Sequence, residues 1–221
     1  MSAVLIIGAG PNIGLAVAKT FAGAGYKVAL ASRSKATDLY THFTFDASKP
    51  ETFPQLFEGV RKDLGDPKVV VHNGKVPYYF TVTGYDLTSA ASCRPQISTS
   101  MPRRCIAAAK EAVDGFARTG PGSTFIFTGN KLNVWGQPQT LAFGMGKSAT
   151  AHLARAGSKS FEGKGYKFYY VDQRQSDGGI TFPTGTEARA NTFLELADDD
   201  KQRAWHCTFV DGKGYVDFQE R

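Results

Sequence analysis

The sequence predicts an α/β protein: a doubly wound, seven-stranded parallel sheet flanked by helices. Two observations lead to this class. Seven short, uniformly apolar segments recur along the 221 residues, and amphipathic or small-residue segments separate them. Strands that are covered by helices on both faces have such continuous apolar runs. The predicted strands are residues 4–7, 28–31, 42–45, 69–71, 124–128, 167–171 and 207–210.

Three of the separating segments predict helices. Residues 53–64 carry apolar side chains along one stripe, and residues 141–160 are rich in Ala, Gly and Ser. Residues 102–116 begin with Pro102, and proline is favoured in the first turn of a helix. The longest irregular segment, residues 172–185, follows the sixth strand. Because ligands bind at the carboxyl ends of the strands in such sheets, we expect this segment to be a substrate loop.

Composition and charge restrict the classes of partner. With 42% hydrophobic and 21% charged residues, residues 1–221 are expected to fold as one globular domain. The net charge of +6 comes from scattered basic residues, so a phosphorylated small molecule is a better-matched partner than a nucleic acid. The chain has no apolar run long enough to cross a membrane, and no membrane partner is expected.

The amino terminus and the cysteines predict a cytoplasmic protein. The first ten residues lack a basic segment and turn to glycines after a short apolar run, which does not fit a signal peptide. Cys93, Cys105 and Cys207 lie far apart, with no histidine at metal-ligand spacing. We therefore expect a reducing compartment, without a disulfide framework or a metal site.

A glycine-rich loop joins the first predicted strand to the first helix. The residues expected to bind an anion there are Gly8, Gly10, Asn12, Ile13 and Gly14. Glycines permit a tight turn, and backbone N–H groups at the helix N-terminus bind a pyrophosphate. The position of the loop between a strand and a helix predicts a dinucleotide-binding Rossmann fold. A tight turn that binds no ligand is the alternative.

The end of the second strand indicates which dinucleotide binds. A carboxylate at this point would accept a hydrogen bond from the ribose 2′-hydroxyl of NAD. This chain instead has Ser32, Arg33 and Ser34, with no carboxylate beside them. A guanidinium binds a 2′-phosphate through charge-assisted hydrogen bonds, so the sequence favours NADP(H) as the cofactor. A solvated basic turn is the alternative.

With these residues, the chain resembles the short-chain dehydrogenase/reductase family over nearly its whole length. The glycine loop is similar to the family's G-x-x-x-G-x-G, with Asn12 in place of the middle glycine. Asp46 matches the aspartate that contacts adenine, and Asn73-Gly74 resembles the family's N-N-A-G segment. The resemblance implies a homo-oligomer, a dimer or a tetramer. Thr181, in the predicted substrate loop, completes the predicted cofactor contacts.

The chain departs from the family at the catalytic residues. The resemblance places Lys147 at the lysine of Tyr-x-x-x-Lys, but the tyrosine position holds Phe143. The family's serine falls on Asn130, and its additional asparagine maps near Met101. Residues 173–174, Gln-Arg, replace the Pro-Gly after the sixth strand. Cofactor binding is therefore expected to be retained, while the usual proton donor is not.

Lys147, Asn130 and Asp172 are the candidate catalytic residues. Ketone reduction forms an alkoxide that needs a proton or an oxyanion partner. Hydride addition to an iminium instead gives a neutral amine directly, and a conjugated or otherwise activated acceptor needs only polarisation. Asp172 ends the sixth predicted strand and is the candidate replacement acid. Its alternative role is a loop cap or an ion pair with Arg174. Tyr170, nearby in sequence, is expected to point elsewhere.

Other side chains have weaker functional interpretations. Trp135 and Phe182 flank the expected crevice, where they either stack on a flat substrate or pack in the core. Residues 103–104, both arginines, are interpreted as a solvated face. Lys131 either reaches the substrate pocket or is a surface loop lysine.

Three functions fit the sequence. The first is an NADPH-dependent reductase of an activated small molecule, an imine or iminium of secondary metabolism. The second is a non-redox or bifunctional enzyme that guides cyclisation, cycloaddition or rearrangement of an alkaloid-type substrate. The third is a non-catalytic NADP(H) sensor.

Overall fold

The computed structural model describes residues 1–74, 95–137, 140–181 and 185–218, with the backbone alone for residues 95–100. These residues form one eight-stranded sheet and five α-helices. The strands are β1 (Ala3–Ile7), β2 (Lys27–Ser32), β3 (Thr41–Thr44), β4 (Pro67–His72), β5 (Thr124–Thr128), β6 (Lys167–Arg174), β7 (His206–Val210) and β8 (Gly214–Tyr215). The helices are α1 (Ile13–Gly23), α2 (Phe53–Leu64), α3 (Pro95–Thr119), α4 (Leu141–Ser160) and α5 (Thr186–Asp198).

The sheet has the doubly wound topology that the sequence predicts. Its strand order is β3-β2-β1-β4-β5-β6-β7-β8, and all neighbouring strands from β3 to β7 are parallel. The seven predicted strands are confirmed. The two-residue β8 pairs antiparallel with β7 and was not predicted, because two residues are too short to give an alternating pattern.

Both faces of the sheet are covered. Helices α2, α3 and α4 pack on one face, where Phe53, Cys105 and Ala151 are buried against β-strand side chains such as Phe125. Helices α1 and α5 cover the other face. Burial on both faces explains why the strands are apolar at nearly every position. Among the described helices, none combines the length and the apolar character needed to cross a bilayer.

Two predicted boundaries are wrong, and one helix was not predicted. Helix α3 begins at Pro95, so Pro102 lies inside it rather than in its first turn. Strand β6 continues to Arg174, so Asp172 lies in the strand and the irregular segment begins after it. The last residues of β6 are polar, so a strand prediction based on apolar runs ends too early. Helix α5 was not predicted.

The topology positions the site. Parallel strands present their carboxyl ends at one edge of the sheet, where the crevice of a doubly wound sheet lies. The loops after β1, β2, β3 and β4 therefore lie side by side, in the order β3-β2-β1-β4. The turn after β5 and the end of β6 follow directly along the same edge.

Candidate functional site

The glycine-rich segment from the end of β1 into the first turn of α1 is tightly packed at two of its three glycines. Gly8 has a φ of 81°, and a Cβ there would lie 2.6 Å from the carbonyl oxygen of Asn73. A Cβ on Gly14 would lie 2.7 Å from the Cα of Ala9. At Gly10 a Cβ would meet no atom within 4 Å. The segment thus needs glycine for its own packing at two positions, while Gly10 borders open space.

The N-terminus of α1 opens onto the same space. Asn12 precedes the helix and is exposed, and its side chain makes no capping hydrogen bond. Ile13 is the first helical residue, and the first turn contains no acidic side chain. The first N–H groups of a helix have no partner within it and attract anions. This arrangement fits the pyrophosphate of a dinucleotide.

The end of β2 forms a hydrogen-bonded turn. The Ser32 hydroxyl donates to the carbonyl oxygen of Ser34 over 2.8 Å and lies 3.0 Å from Nε2 of His42. Because the hydroxyl has a single proton, His42 must donate from Nε2 to Ser32 Oγ. Arg33 lies between the two serines and is exposed. The turn therefore holds a guanidinium at the point where the sequence predicts a 2′-phosphate.

The loops after β3 and β4 lie beside the glycine loop. Asp46 accepts a hydrogen bond from the backbone N–H of Ser48 over 3.0 Å, and this bond is the main cause of its lowered pKa. Asn73 donates from Nδ2 to the carbonyl oxygen of Gly8 over 3.1 Å. Gly74 has no room for a side chain, since a Cβ would lie 2.9 Å from the His72 ring. The predicted cofactor residues of β1 and β4 are thus in direct contact.

Lys147 lies in the middle of α4, next to the last residue of β5. Its side chain is buried, and Nζ donates to the carbonyl oxygen of Thr128 over 2.7 Å. The ring centroid of Phe143, one helical turn earlier, lies 5.4 Å from Nζ. Burial, together with the charge of Arg189, lowers the pKa of Lys147 to about 8. Lys147 therefore loses its proton more readily than an exposed lysine does.

The turn after β5, residues 128–130, is called the β5 turn here. Buried Arg189 of α5 donates from Nη1 to the carbonyl oxygen of Gly129 over 3.1 Å, next to the carbonyl that Lys147 binds. Asn130 accepts a hydrogen bond at Oδ1 from the backbone N–H of Leu132 over 3.2 Å. Two cationic side chains from two helices thus fix the turn that carries the candidate catalytic amide.

Asp172 is completely buried and forms an ion pair. Its Oδ2 lies 2.5 Å from Nε of Arg174 and 3.8 Å from Nε2 of His206. The ion-pair alternative for Asp172 is therefore what the geometry shows. The structure gives no support to Asp172 as the replacement acid, and that role stays a prediction.

Tyr170 does not point away from the site. It packs on the α3–α4 face of the sheet, and its hydroxyl hydrogen-bonds to the backbone of Asn130. Asp172, two residues later in the same strand, points to the same face by strand alternation. The prediction that Tyr170 points elsewhere is wrong, because β6 runs straight through both residues.

A cavity of about 630 Å³ lies beyond the carboxyl end of β6. Its described lining is mostly polar: Gln173, Arg174, Gln175, Ser176, Asp177, Thr181, Gly185, Val210 and Asp211. Among the residues that the structure describes, Oε1 of Gln173 and Oγ1 of Thr181 are buried without a hydrogen-bond partner. The cavity lies in the predicted substrate loop. Thr181 lines this cavity, and no hydrogen bond joins its hydroxyl to another residue that the structure describes.

The side chains with weaker functional interpretations are partly on the surface and partly buried. Lys131 donates to the carbonyl oxygen of Gly178 over 2.7 Å, which ties it to the segment after β6. Trp135 is 43% exposed, so it is not a core residue. Met101 is buried against α4, where a Cβ on Gly146 would lie 2.5 Å from its sulfur. Phe182 lies outside the described residues.

Four side chains near the site were missed or misread in the sequence. Tyr170 and Arg189 bind the β5 turn, and His42 binds the turn after β2. Arg104, interpreted as solvated, is half-buried, and its charge helps to lower the pKa of His72 to about 3, after the larger effect of burial. Their partners lie between 10 and 60 residues away. The one available signal is the strand period, which places Tyr170 and Asp172 on one face.

The fold and the glycine loop together define a Rossmann-type α/β protein. No family model matches the chain. A short-chain dehydrogenase/reductase of Cryptosporiopsis sp. (strain 8999) is 37% identical over 235 aligned positions, covering 97% of this chain and 94% of that protein.

Solved structures give the same fold. A short-chain dehydrogenase/reductase from Serratia marcescens BCRC 10948 superposes with a TM-score of 0.73 at 17% identity, covering 96% of both chains. ElxO with NADP bound superposes with a TM-score of 0.75 at 18% identity, covering 95% of this chain and 96% of that one. The chain belongs to the short-chain dehydrogenase/reductase family of oxidoreductases, which bind nicotinamide cofactors.

Proposed function

We propose that the protein is an NADPH-dependent reductase of an activated small molecule, and that the substrate is an iminium. The main observation behind this proposal is the pair Phe143 and Lys147. The position one helical turn before the buried lysine holds an aromatic ring without a hydroxyl. The chain thus lacks the phenolic proton donor that the family resemblance leads one to expect there. A substrate that needs no proton fits this site.

The loop residues support the choice of cofactor. Gly10 and the N-terminus of α1 have space and polarity for a pyrophosphate, and Arg33 is exposed in the turn after β2. The ElxO structure, similar in fold, contains NADP. When bound, reduced nicotinamide supplies hydride. The residues proposed to hold it are Gly8, Gly10, Asn12, Ile13, Gly14, Ser32, Arg33, Ser34, Asp46, Asn73, Gly74, Lys147 and Thr181.

The reaction needs little from the protein beyond binding and orientation. Addition of hydride to the iminium carbon turns the C=N π pair into a lone pair on nitrogen, so the product is neutral and no proton moves. The amide of Asn130 is proposed to donate from Nδ2 to an oxygen of the substrate. Lys147, with its pKa near 8, can lose its charge and admit a cation.

The test mixes the purified protein with NADPH and a cyclic N-alkyl iminium salt. We expect loss of the reduced-nicotinamide absorbance, and transfer of deuterium from C4-labelled NADPH to the product carbon. Simple ketones are the comparison substrates, and NADH is the comparison cofactor.

Brisk reduction of ketones without turnover of the iminium would contradict the proposal. An equal rate without protein would also contradict it. A rearranged or cyclised product that forms equally well with NADP⁺ would favour the non-redox alternative, and cofactor binding without any product would favour the sensor.

Oligomeric state is a separate proposal. Helices α3 and α4 each expose an apolar side chain, Ile106 at 56% and Met145 at 52%. We propose a homodimer or homotetramer with these helices at the interface. A sizing measurement that gives only the 23.9 kDa monomer would contradict it.

A further inference from the structure

The β5 turn is hydrogen-bonded to side chains at every one of its carbonyl groups. Lys147 binds the carbonyl of Thr128 and Arg189 binds that of Gly129, as described above. The third carbonyl, that of Asn130, accepts from the hydroxyl of Tyr170 over 2.8 Å. The backbone N–H of Gly129 also donates to the carbonyl oxygen of Val171 in β6 over 2.7 Å. This ladder bond and the three side chains together hold the turn in place.

Tyr170 holds Asn130 at two atoms. Its hydroxyl donates to the carbonyl oxygen of Asn130 and accepts from the backbone N–H of the same residue over 3.1 Å. Burial, with Asp172 as a second cause, raises the pKa of Tyr170 well above its usual value, so the hydroxyl keeps its proton. One phenol therefore fixes both backbone polar groups of a single residue.

The ring of Tyr170 packs directly against Gly129, where a residue with a side chain would not fit. A Cβ on Gly129 would lie 2.4 Å from Cε1 of the Tyr170 ring. The hydroxyl of Tyr170 reaches Asn130 because the ring passes directly over Gly129. The two residues come from β6 and from the end of β5, which pair as neighbours in the sheet.

The side chain of Asn130 has one orientation. Its Oδ1 is occupied by the N–H of Leu132, which places Nδ2 on the opposite side of the amide. Among the residues that the structure describes, Nδ2 has no acceptor. Asn130 is half-buried at the carboxyl edge of the sheet, so this amide can reach a ligand. The backbone of Asn130 sets the direction of that N–H.

We propose that Tyr170 is a positioning residue, which holds the Asn130 amide as a hydrogen-bond donor for an oxygen of the substrate. The assignment of this donor to a substrate rests on the proposed reductase function. The orientation of the amide is independent of that function, because it follows from contacts within the chain. The two parts can therefore be tested separately.

The first test measures the orientation directly. The variant Tyr170→Phe keeps the ring over Gly129 and removes both hydrogen bonds to Asn130. In two-dimensional ¹⁵N–¹H NMR spectra, the side-chain amide pair of Asn130 is assigned by its loss in Asn130→Asp. We expect this pair to shift and broaden in Tyr170→Phe, which indicates exchange between orientations.

The control is Tyr169→Phe. Tyr169 is an equally buried tyrosine in the same strand, and its hydroxyl accepts from the backbone N–H of Arg203 over 2.9 Å. It packs on the opposite face of the sheet, against α1 and α5. Tyr169→Phe should therefore leave the Asn130 amide signals unchanged, although it also removes a buried hydroxyl.

The second test uses turnover of a cyclic iminium salt that carries a carbonyl or methoxy oxygen, because the proposed Asn130 hydrogen bond needs a substrate oxygen as its acceptor. Tyr170→Phe should lower kcat about tenfold, the effect of one misplaced hydrogen bond, while the Kd for NADPH stays unchanged. In an Asn130→Ala background, Tyr170→Phe should change kcat less than about twofold, because the donor that it positions is already absent.

Unchanged Asn130 amide signals in Tyr170→Phe would overturn the proposal, whatever the activity. Equal effects of Tyr170→Phe on kcat with and without the Asn130 side chain would also overturn its link to substrate. If the wild-type protein binds NADPH and reduces no iminium, the proposed function fails. The NMR result then still decides whether Tyr170 positions the amide.

Discussion

Nζ of Lys147 lies 5.4 Å from the ring centroid of Phe143, on the same side of α4 and one turn apart. A hydroxyl on this ring would stand beside a buried ammonium, the setting that lowers a phenol pKa and makes it a proton donor near neutral pH. The ring that faces the Lys147 ammonium thus carries no hydroxyl.

The variant Phe143→Tyr should supply this acid. We expect kcat/KM for simple ketones to rise by at least about tenfold, within the range that general acid catalysis contributes. Steady-state kinetics with NADPH checks the result. Phe161→Tyr is the control, because Phe161 also has a lysine, Lys164, at 5.9 Å from its ring centroid but lies at the far end of α4. No gain over the control would argue against a site beside Phe143.

Lys147 should give the reaction an unusual pH dependence. Its pKa of about 8 means that the side chain is cationic below this pH and neutral above it. A permanently charged iminium is repelled by the cation, so its kcat/KM should rise as the pH increases through 8. An activated neutral acceptor should show the opposite trend, because its developing anion is stabilised by the cation. A pH profile with both substrates tests this, and Lys147→Met should flatten both profiles.

Arg33 should decide between the two dinucleotides. Its guanidinium would make charge-assisted hydrogen bonds to a 2′-phosphate, and such bonds contribute about 1.5–3 kcal/mol. Arg33→Ala should therefore weaken NADPH binding about 10- to 100-fold and leave NADH binding nearly unchanged, as measured by calorimetry. Lys35→Ala is the control, since Lys35 lies two residues after Arg33 and is ion-paired with Asp38. A similar loss for both cofactors would exclude this role.

Lys167 should contribute to stability without contributing to activity. It is buried at the start of β6, and Nζ donates to the carbonyl oxygens of Leu196 and Ala197 over 2.8 and 2.9 Å, at the end of α5. Lys167→Met would leave these buried carbonyls without a donor, at a cost of about 1–3 kcal/mol. Denaturant unfolding should show this loss, and exposed Lys164→Met should not. An unchanged midpoint would contradict the assignment.

Local patterns in the sequence determined the architecture. Apolar runs such as residues 69–71 predict buried strands because covered strands leave no polar face. The glycine loop was predicted from the positions of Gly8 and Gly14, and the structure explains both by backbone contacts too close for a Cβ. The basic turn at Arg33 was also evident, since the chemistry of a strand end lies in consecutive residues.

Only the tertiary structure decided the contacts across the site. The sequence is compatible with two roles for Asp172, a proton donor or an ion-pair partner of Arg174. The ion pair forms because β6 extends to Arg174 and places both side chains on the same face of the sheet. The hydrogen bonds from Tyr170 to Asn130 and from Arg189 to Gly129 join residues 40 and 60 positions apart. Strand order and helix packing create such contacts. Sequence spacing has no information about which buried donor meets which carbonyl.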